Sequence, residues 1–274
     1  MPTVTDIREM TDSGSDSDPI TMLTAYDAPT ARLVDEAGTD MVLVGDSMGN
    51  AVLGHESTLP VTVDEVASHT AAVDRAVDDA LVVADMPFLS FGVDETESIH
   101  NCGRMLKESG ADAVKLESGP HTVDLTERLV QLGIPVMAHL GLTPQRVHEL
   151  GGYTRQGTTE DAAQEIIDLA HAHEEAGAFS LVLEHVPANL ASHVTDELEL
   201  PTIGIGAGPD CDGQVLVFHD AVGMSDRSPP FAQQFGDAKG EIQSALSEYV
   251  DAVESGTFPA EEHSHVEEQL DELY

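Results

Sequence analysis

Within the 274-residue chain, six residues with acid, base or metal-binding side chains stand out because each lies at or just past the end of a short apolar run. In chain order they are Asp46, Asp85, Lys115, Glu117, His139 and Glu184. An ionised side chain directly after a buried-looking strand is badly placed for an apolar core, because burying an unpaired charge is costly. Six such residues at equivalent positions indicate one shared site.

The carboxylates of this set favour a metal ion with oxygen ligands. Asp46, Asp85 and Glu117 suit a hard cation, and Mg²⁺ fits when one or two carboxylates bind it and water and substrate take the other positions. Zn²⁺ fits less well, because His139 is the one good nitrogen ligand in the set.

Two other residues of the set suggest substrate binding and proton transfer. Lys115 and Glu117 are two residues apart, so they face the same side of an extended strand. Lys115 is one of only three lysines in the chain, and we expect it to bind an anion such as a substrate carboxylate. Glu184 is a separate carboxylate and a candidate general base.

A recurring unit supplies the elements that must position these side chains. It reads "EAGTDMVLVGD" from Glu36, "ESGADAVKLES" from Glu108 and "EAGAFSLVLEH" from Glu175. The glycine is typical of the residue just past a helix, and the apolar run after it is typical of a buried parallel strand. Each copy therefore predicts a helix that ends and a strand that begins.

Eight strands are predicted in this way, and helical patterns separate most of them. They are Ile20–Thr24, Met41–Val44, Leu81–Ala84, Ala113–Glu117, Pro135–His139, Ser180–Glu184, Thr202–Ile205 and Gln214–Phe218. Eight βαβ-type units predict an α/β fold, a (β/α)₈ TIM-type barrel that forms a single domain over residues 1–274, with a doubly wound open sheet as the alternative. A barrel would bring the strand ends, and hence the six side chains, around one mouth.

Composition limits the possible partners. Acidic residues outnumber basic ones by 51 to 11, giving a net charge of −40, while 41% of the residues are hydrophobic. We interpret this as a folded protein whose acidic shell is adapted to high salt, where screening weakens self-repulsion. Such a charge argues against nucleic acid and anionic membranes as partners.

The two terminal segments carry weaker structural signals than the rest of the chain. A flexible acidic segment is expected at about residues 9–18, and an acidic tail at about 255–274 with a short helix near "VEEQLDELY". His263 and His265 of that tail are interpreted as exposed residues and not as metal ligands.

Cys102 and Cys211 lack metal-type spacing and are expected to be free thiols. No apolar run of membrane-spanning length occurs, so the protein is expected to be soluble and cytoplasmic.

Several long motifs resemble one enzyme family. "VGDSMGNAVLGHESTLPVT", "DAVKLE", "PVMAHLGLTPQ" and "LVLEHVP" occur in order within about Ile20 to Asp220, and they resemble the ketopantoate hydroxymethyltransferases of pantothenate and coenzyme A biosynthesis. The resemblance implies a (β/α)₈ barrel, Mg²⁺ and a large homo-oligomer, commonly a decamer. It also implies transfer of a hydroxymethyl group from 5,10-methylenetetrahydrofolate to 3-methyl-2-oxobutanoate, which gives 2-dehydropantoate.

The resemblance also implies roles for particular residues. The implied metal ligands are Asp46, Asp85 and Glu117, and the implied substrate-binding residues are Asp46, Ser47, Asp85, Lys115 and His139. Glu184 matches the proposed proton acceptor. Ser118 stands where the family often has glycine, and His185 next to Glu184 is a second small departure.

Two other functions remain open from the sequence. A related barrel lyase or mutase, such as phosphoenolpyruvate mutase or isocitrate lyase, also forms an Mg²⁺-bound enolate of a 2-oxo acid, but such enzymes use a reactive cysteine or a phosphate site near the mouth. Neither Cys102, in a predicted helix, nor Cys211, in a predicted loop, ends a strand. A barrel that only binds a metal or an oxo acid would not need Glu184. The one-carbon carrier is also open, since a pterin other than tetrahydrofolate would serve.

Overall fold

A computed structural model describes residues 2–12 and 18–267, and its centre is a closed barrel of eight parallel strands. The strands are β1 (Ile20–Thr24), β2 (Met41–Val44), β3 (Leu81–Asp85), β4 (Ala113–Glu117), β5 (Val136–Gly141), β6 (Ser180–Glu184), β7 (Thr202–Ile205) and β8 (Gly213–Leu216). Each strand pairs with the next in the chain, and β8 closes onto β1. The predicted (β/α)₈ barrel is therefore confirmed, and the open doubly wound sheet is excluded.

Helices connect most of the strands. They are α1 (Val4–Asp12), α2 (Ala28–Glu36), α3 (Met48–Ala51), α4 (Val63–Asp74), α5 (Glu95–Ser109), α6 (Val123–Gln131), α7 (Val147–Leu150), α8 (Glu160–Glu175), α9 (Ala188–Glu197), α10 (Phe218–Ala221) and α11 (Ala238–Glu254). Short 3₁₀ turns occupy Pro120–Thr122, Pro144–Arg146 and Glu261–His263.

The glycine of the recurring unit ends a helix, as the sequence predicts. Gly110 follows α5 with φ +83°, and its N–H donates to the carbonyl of Met105. Gly38 and Gly177 also have positive φ, at +82° and +90°. Glycine adopts this left-handed conformation without the steric cost that a side chain would add, so the chain can turn sharply into the next strand.

The inward-facing side chains change from apolar to charged along the strands. On β4 they are Ala113, Lys115 and Glu117, because alternate residues of a strand share one face. Ala113 belongs to an apolar cluster with inward residues such as Met41 and Val83. The barrel is thus filled by apolar side chains near the strand starts, while its polar groups collect at the carboxyl ends.

The first helix contributes to the same apolar cluster. Ile7 of α1 is fully buried and packs with Ile20 and Phe179, so α1 covers the end of the barrel where the strands begin. Residues 9–12 of the expected flexible segment belong to this helix. Residues 13–17 lie outside the described part of the chain.

The chain forms two compact units, Met1–Phe218 with the barrel and His219–Tyr274 with α11. The single-domain organisation stays a prediction. The helix predicted near "VEEQLDELY" falls largely on residues 268–274, which lie outside the described residues. Within residues 2–12 and 18–267, no helix is both long and apolar enough to span a bilayer.

Candidate active site

The register of the strands places the predicted site residues side by side. Asp85 of β3 is paired with Lys115 of β4. One step further, Glu117 of β4 is paired with His139 of β5. Gly141 of β5 then lies opposite Glu184 of β6. Because the barrel is closed and parallel, these side chains lie at one mouth, as the sequence predicts.

Lys115 and Asp85 form a buried ion pair at the centre of this arrangement. The Nζ atom of Lys115 lies 2.9 Å from Oδ1 and 2.8 Å from Oδ2 of Asp85. Burial by itself lowers the pKa of Lys115, but the carboxylates of Asp85, Glu117 and Asp46 more than offset this effect and raise it above its ordinary value. Lys115 is therefore a permanent cation at the mouth.

Asp46 follows β2 in a short turn, and its carboxyl group is almost completely buried. Burial raises the pKa of Asp46 to about 7, and the charge of Asp85 acts in the same direction. Its backbone N–H faces Oδ2 of Asp85 at 3.5 Å. The amide Nε2 of Gln145 donates to Oδ2 of Asp46 at 2.9 Å.

Gln145 is a site residue that the sequence reasoning missed. Besides Asp46, its side-chain amide donates to the carbonyl of Met86 at 2.9 Å. Its backbone N–H donates to Glu117, at 3.2 Å from Oε1 and 3.0 Å from Oε2. Gln145 therefore links the carboxylate that follows β2 to the one at the end of β4. The one available signal was its position in the loop after the fifth strand, within the motif "PVMAHLGLTPQ".

Glu117 is buried, and burial is the main reason that its pKa lies well above the ordinary value. The charge of Asp46 raises it further, while Lys115 acts in the opposite direction. The neighbouring Ser118 supports the next strand, because its N–H donates to the carbonyl of His139 at 2.8 Å.

Glu184 and His139 form the second half of the site. Oε2 of Glu184 lies 3.1 Å from Nε2 of His139, although the alignment is not that of a hydrogen bond. Burial, followed by the charge of Lys115, holds the pKa of His139 well below its ordinary value, so the imidazole is neutral. Burial raises the pKa of Glu184 to about 7. The Glu184 side chain keeps 17% exposure, so a small molecule in the mouth can reach it.

Ser47 is the N-cap residue of α3, and its Oγ lies 2.9 Å from the hydroxyl oxygen of Tyr26. At the glycines near Asp46, the lack of a side chain matters because there is no room for one, and not because the backbone needs an unusual conformation. A Cβ on Gly45 would lie 2.6 Å from Oγ of Ser47, and one on Gly49 would lie 2.9 Å from Val61. Glycine at these two positions therefore leaves room for the side chains of Ser47 and Val61.

The donor atoms of this site match those that Mg²⁺ prefers. Asp46, Asp85 and Glu117 offer only oxygen, and a divalent cation would offset the repulsion that contributes to the raised pKa of Asp46 and of Glu117. Within the described ranges, no three acidic, histidine or cysteine side chains are grouped closely enough to enclose a metal ion by themselves. Mg²⁺ usually keeps several waters and binds through one or two protein carboxylates, so the side chains present fit that ion.

The two cysteines lie apart from this chemistry. Cys102 is buried in α5, and burial raises the pKa of its thiol to about 12. Cys211 is buried in the loop before β8, and burial raises its thiol pKa as well. Because the thiolate is the reactive form, neither residue is suited to act as a nucleophile.

Sequence comparison decides the family. Residues 2–261 match the family model described as ketopantoate hydroxymethyltransferase. The chain belongs to the ketopantoate hydroxymethyltransferase family. It is thus an enzyme of the hydroxymethyltransferase class.

Full-length relatives support the same assignment. The 3-methyl-2-oxobutanoate hydroxymethyltransferases of Halobacterium salinarum and Haloarcula marismortui are each 68% identical over 274 residues, which is all of this chain and all of theirs. The protein of the same name from Geobacter metallireducens is 52% identical over 96% of this chain and 97% of its own.

Solved structures share the fold at much lower identity. Phosphoenolpyruvate phosphomutase from Streptomyces platensis subsp. rosaceus has a TM-score of 0.63 and 16% identity, covering 99% of this chain and 95% of that one. A 2,3-dimethylmalate lyase of the PEP mutase/isocitrate lyase superfamily has a TM-score of 0.60 and 17% identity, covering 99% and 94%. This chain therefore shares its barrel fold with those two enzymes.

Proposed function

We propose that this enzyme transfers a hydroxymethyl group from 5,10-methylenetetrahydrofolate to 3-methyl-2-oxobutanoate in pantothenate and coenzyme A biosynthesis. Water supplies the hydroxyl oxygen, and the products are tetrahydrofolate and 2-dehydropantoate. The observation that carries the proposal is the pairing of a reachable carboxylate of raised pKa, Glu184, with the fixed cation Lys115 in one buried mouth.

Glu184 is the proposed general base. A carboxyl group with a pKa near 7 is half ionised at neutral pH, and it is a stronger base than an ordinary carboxylate. It would take the proton from C3 of the 2-oxo acid, and that carbon would then form the new bond to the one-carbon unit. His139, whose Nε2 lies 3.1 Å from Oε2 of Glu184, is neutral and therefore adds no competing positive charge beside the base.

Lys115 is proposed to bind the acceptor. Its cation attracts the carboxylate of the 2-oxo acid and favours the negative charge that develops on the keto oxygen when C3 loses its proton. Ser47, Asp46, Asp85 and His139 are the other proposed substrate-binding residues. The Oγ of Ser47 lies 2.9 Å from the hydroxyl oxygen of Tyr26, and either hydroxyl can be the donor of that bond.

Asp46, Asp85 and Glu117 are proposed to hold Mg²⁺, which when bound would act as a Lewis acid toward the keto and carboxylate oxygens of the acceptor. Gln145 would keep two of these carboxylates apart at a fixed spacing, because it donates to Asp46 with its side chain and to Glu117 with its backbone. The protein is also proposed to be a cytoplasmic homo-oligomer, a decamer as is common in the family.

Hydrogen exchange tests the proposal. The enzyme with Mg²⁺ is incubated in D₂O with 3-methyl-2-oxobutanoate and no one-carbon donor, and loss of the C3–H signal is followed by NMR. We expect exchange without the donor and product formation only with it. Absence of both would refute the reaction, and cleavage of isocitrate-like acids would indicate a lyase instead.

A further inference from the structure

A pocket lies beside the carboxylates, and apart from Glu117 and Gln145 its lining residues have no part in the steps described above. It has a volume of about 260 Å³ and is bounded by the loop between β3 and α5 together with segments that follow β4 and β5. Phe88, Leu89 and Val93 line it from the loop, and Glu117 and Gln145 line it from the site. We call it the side pocket. It shares Glu117 with the mouth, so a molecule bound in it would lie next to the acceptor.

The loop that lines the side pocket exposes apolar side chains. Phe88 is 40% exposed, Leu89 63% and Val93 71%. In a chain with a net charge of −40, large apolar groups clustered around a concave surface indicate a binding site rather than ordinary surface.

The backbone of the same loop carries an independent signal. Leu89 has φ +60°, and within the described residues His185, next to Glu184, is the one other non-glycine residue with positive φ. This conformation costs roughly 1–2 kcal/mol for a residue with a side chain. Strain of this kind clusters at sites that hold ligands.

Polar side chains also line the side pocket. Arg146 and His121 both line it. The guanidinium group of Arg146 is held by two bonds to Glu149, at 2.8 and 2.7 Å, and 45% of its side chain is exposed. Since the chain has only 11 basic residues against 51 acidic ones, Arg146 is one of few cations that an anionic group could approach, and such a group would share it with Glu149.

We propose that the side pocket seats the reduced pterin ring of the one-carbon donor, an assignment that rests on the function proposed above. The acceptor is small and charged and belongs beside Lys115, whereas a flat heterocycle needs apolar walls and an aromatic partner. The pocket volume suits one two-ring heterocycle. A donor held there presents its one-carbon unit toward the acceptor, and an anionic glutamate tail would leave past Arg146.

Two variants on the loop test this assignment, Phe88→Ala and Val93→Asp. Each should raise the KM for 5,10-methylenetetrahydrofolate and the Kd for tetrahydrofolate, measured by calorimetry, by about tenfold, as expected for loss of one stacking or apolar contact. Donor-free C3–H exchange of 3-methyl-2-oxobutanoate should stay at the unmodified rate. Matched controls are Phe235→Ala, at a position 71% exposed, and Leu33→Asp, at one 59% exposed; neither should change the donor constants.

A third variant separates the two kinds of carrier. Arg146→Gln should weaken binding of tetrahydrofolate and leave a tetrahydropterin without a glutamate tail unaffected. Equal effects on both probes would overturn the assignment of the tail but keep that of the ring.

The outcomes separate the side pocket from the reaction itself. Unchanged donor constants in both loop variants would overturn the pocket assignment, and so would loss of donor-free exchange, which would place the loop in acceptor binding. If the unmodified enzyme showed neither exchange nor transfer, the proposed function would fail. Calorimetry with tetrahydrofolate would then still show whether the loop variants weaken binding, and hence whether the side pocket holds the pterin ring.

Discussion

The mouth of the barrel and the outer helices are both rich in carboxylates, but the two regions treat them in opposite ways. On the surface, Glu65 in the first turn of α4 accepts bonds from Thr62, and these bonds lower its pKa. At the mouth, burial raises the pKa of Asp46 and of Glu184, each to about 7.

The difference shows that solvation, more than residue type, decides the direction in which the pKa of a carboxyl group shifts in this chain. Surface acids are hydrated, and an exposed pair such as Arg104–Asp64 contributes at most about 1 kcal/mol. Mouth acids have lost water, so each interaction there counts for more. Changes at the mouth should therefore affect activity and stability strongly, and matched changes on the surface should do little.

The largest effect is expected for Glu184→Gln. Glutamine keeps the shape but cannot accept a proton, so donor-free C3–H exchange should fall by about 10²–10⁴-fold, while a titration shows nearly normal binding of 3-methyl-2-oxobutanoate. The surface control is Glu97→Gln in the first turn of α5, which should leave exchange unchanged. Exchange at the unmodified rate would remove Glu184 from the mechanism and make His139 the next candidate.

Asp85→Asn should cause the largest loss of stability. It leaves Lys115 buried without its partner, which typically costs about 3–5 kcal/mol, and it should also abolish Mg²⁺-dependent activity. Denaturant unfolding measures the first effect and a metal titration of turnover the second. The surface control Asp64→Asn should cost no more than about 1 kcal/mol.

A double variant identifies the cause of that loss. Asp85→Asn combined with Lys115→Met removes both charges, so much of the lost stability should return while activity stays absent. If the double variant were less stable than Asp85→Asn alone, the unpaired charge would not be the reason.

Lowering the pH should reduce the rate of donor-free exchange by an intermediate amount. Since the pKa of Glu184 is raised to about 7, the base form grows as the pH rises, and donor-free exchange should fall about tenfold per pH unit below that value. The folded protein also holds this proton more tightly than the unfolded chain does. The stability contributed by the group is therefore present at low pH and lost as the pH rises through about 7. An inflection near the ordinary carboxyl range would contradict the burial of Glu184.

The smallest effect is expected from the charged surface. It should be negligible at high salt and should grow as the salt concentration is lowered. The screening length is about 3 Å at 1 M and about 30 Å at 0.01 M, so repulsion within a chain of net charge −40 grows as salt is removed. Dilution of salt should lower the Tm and, on a sizing column, break the proposed assembly into smaller species. The same Tm and elution volume at both salt concentrations would refute adaptation to high salt.

Much of the fold could be predicted from the sequence because buried parallel strands have a simple pattern. Strands β1, β2, β4, β6 and β7 have the bounds that the apolar runs predict. The ends of β3, β5 and β8 differ by one or two residues, since hydrogen bonding to a neighbouring strand extends or shortens a strand beyond its apolar run.

The site could be predicted only in part. Strand ends identify Asp46, Lys115 and Glu184 because a charged residue after an apolar run stands out. The contacts that join them do not follow from the sequence: the Lys115–Asp85 pair depends on strand register. Gln145 is an amide in a loop with no periodic pattern, and its two roles appear only when the loop is seen folded back over the carboxylates.

The burial of Lys115 has a practical consequence for chemical labelling. The chain has three lysines, of which Lys107 is exposed and Lys239 is partly exposed, while Lys115 is enclosed and bonded to Asp85. Amine-directed reagents should therefore modify two lysines in the native protein and a third only after unfolding, which makes the Lys115 peptide a mass-spectrometric reporter of the folded barrel. Lysine-based crosslinking will be nearly blind to this surface, and reagents that couple carboxylates are the ones that will map it.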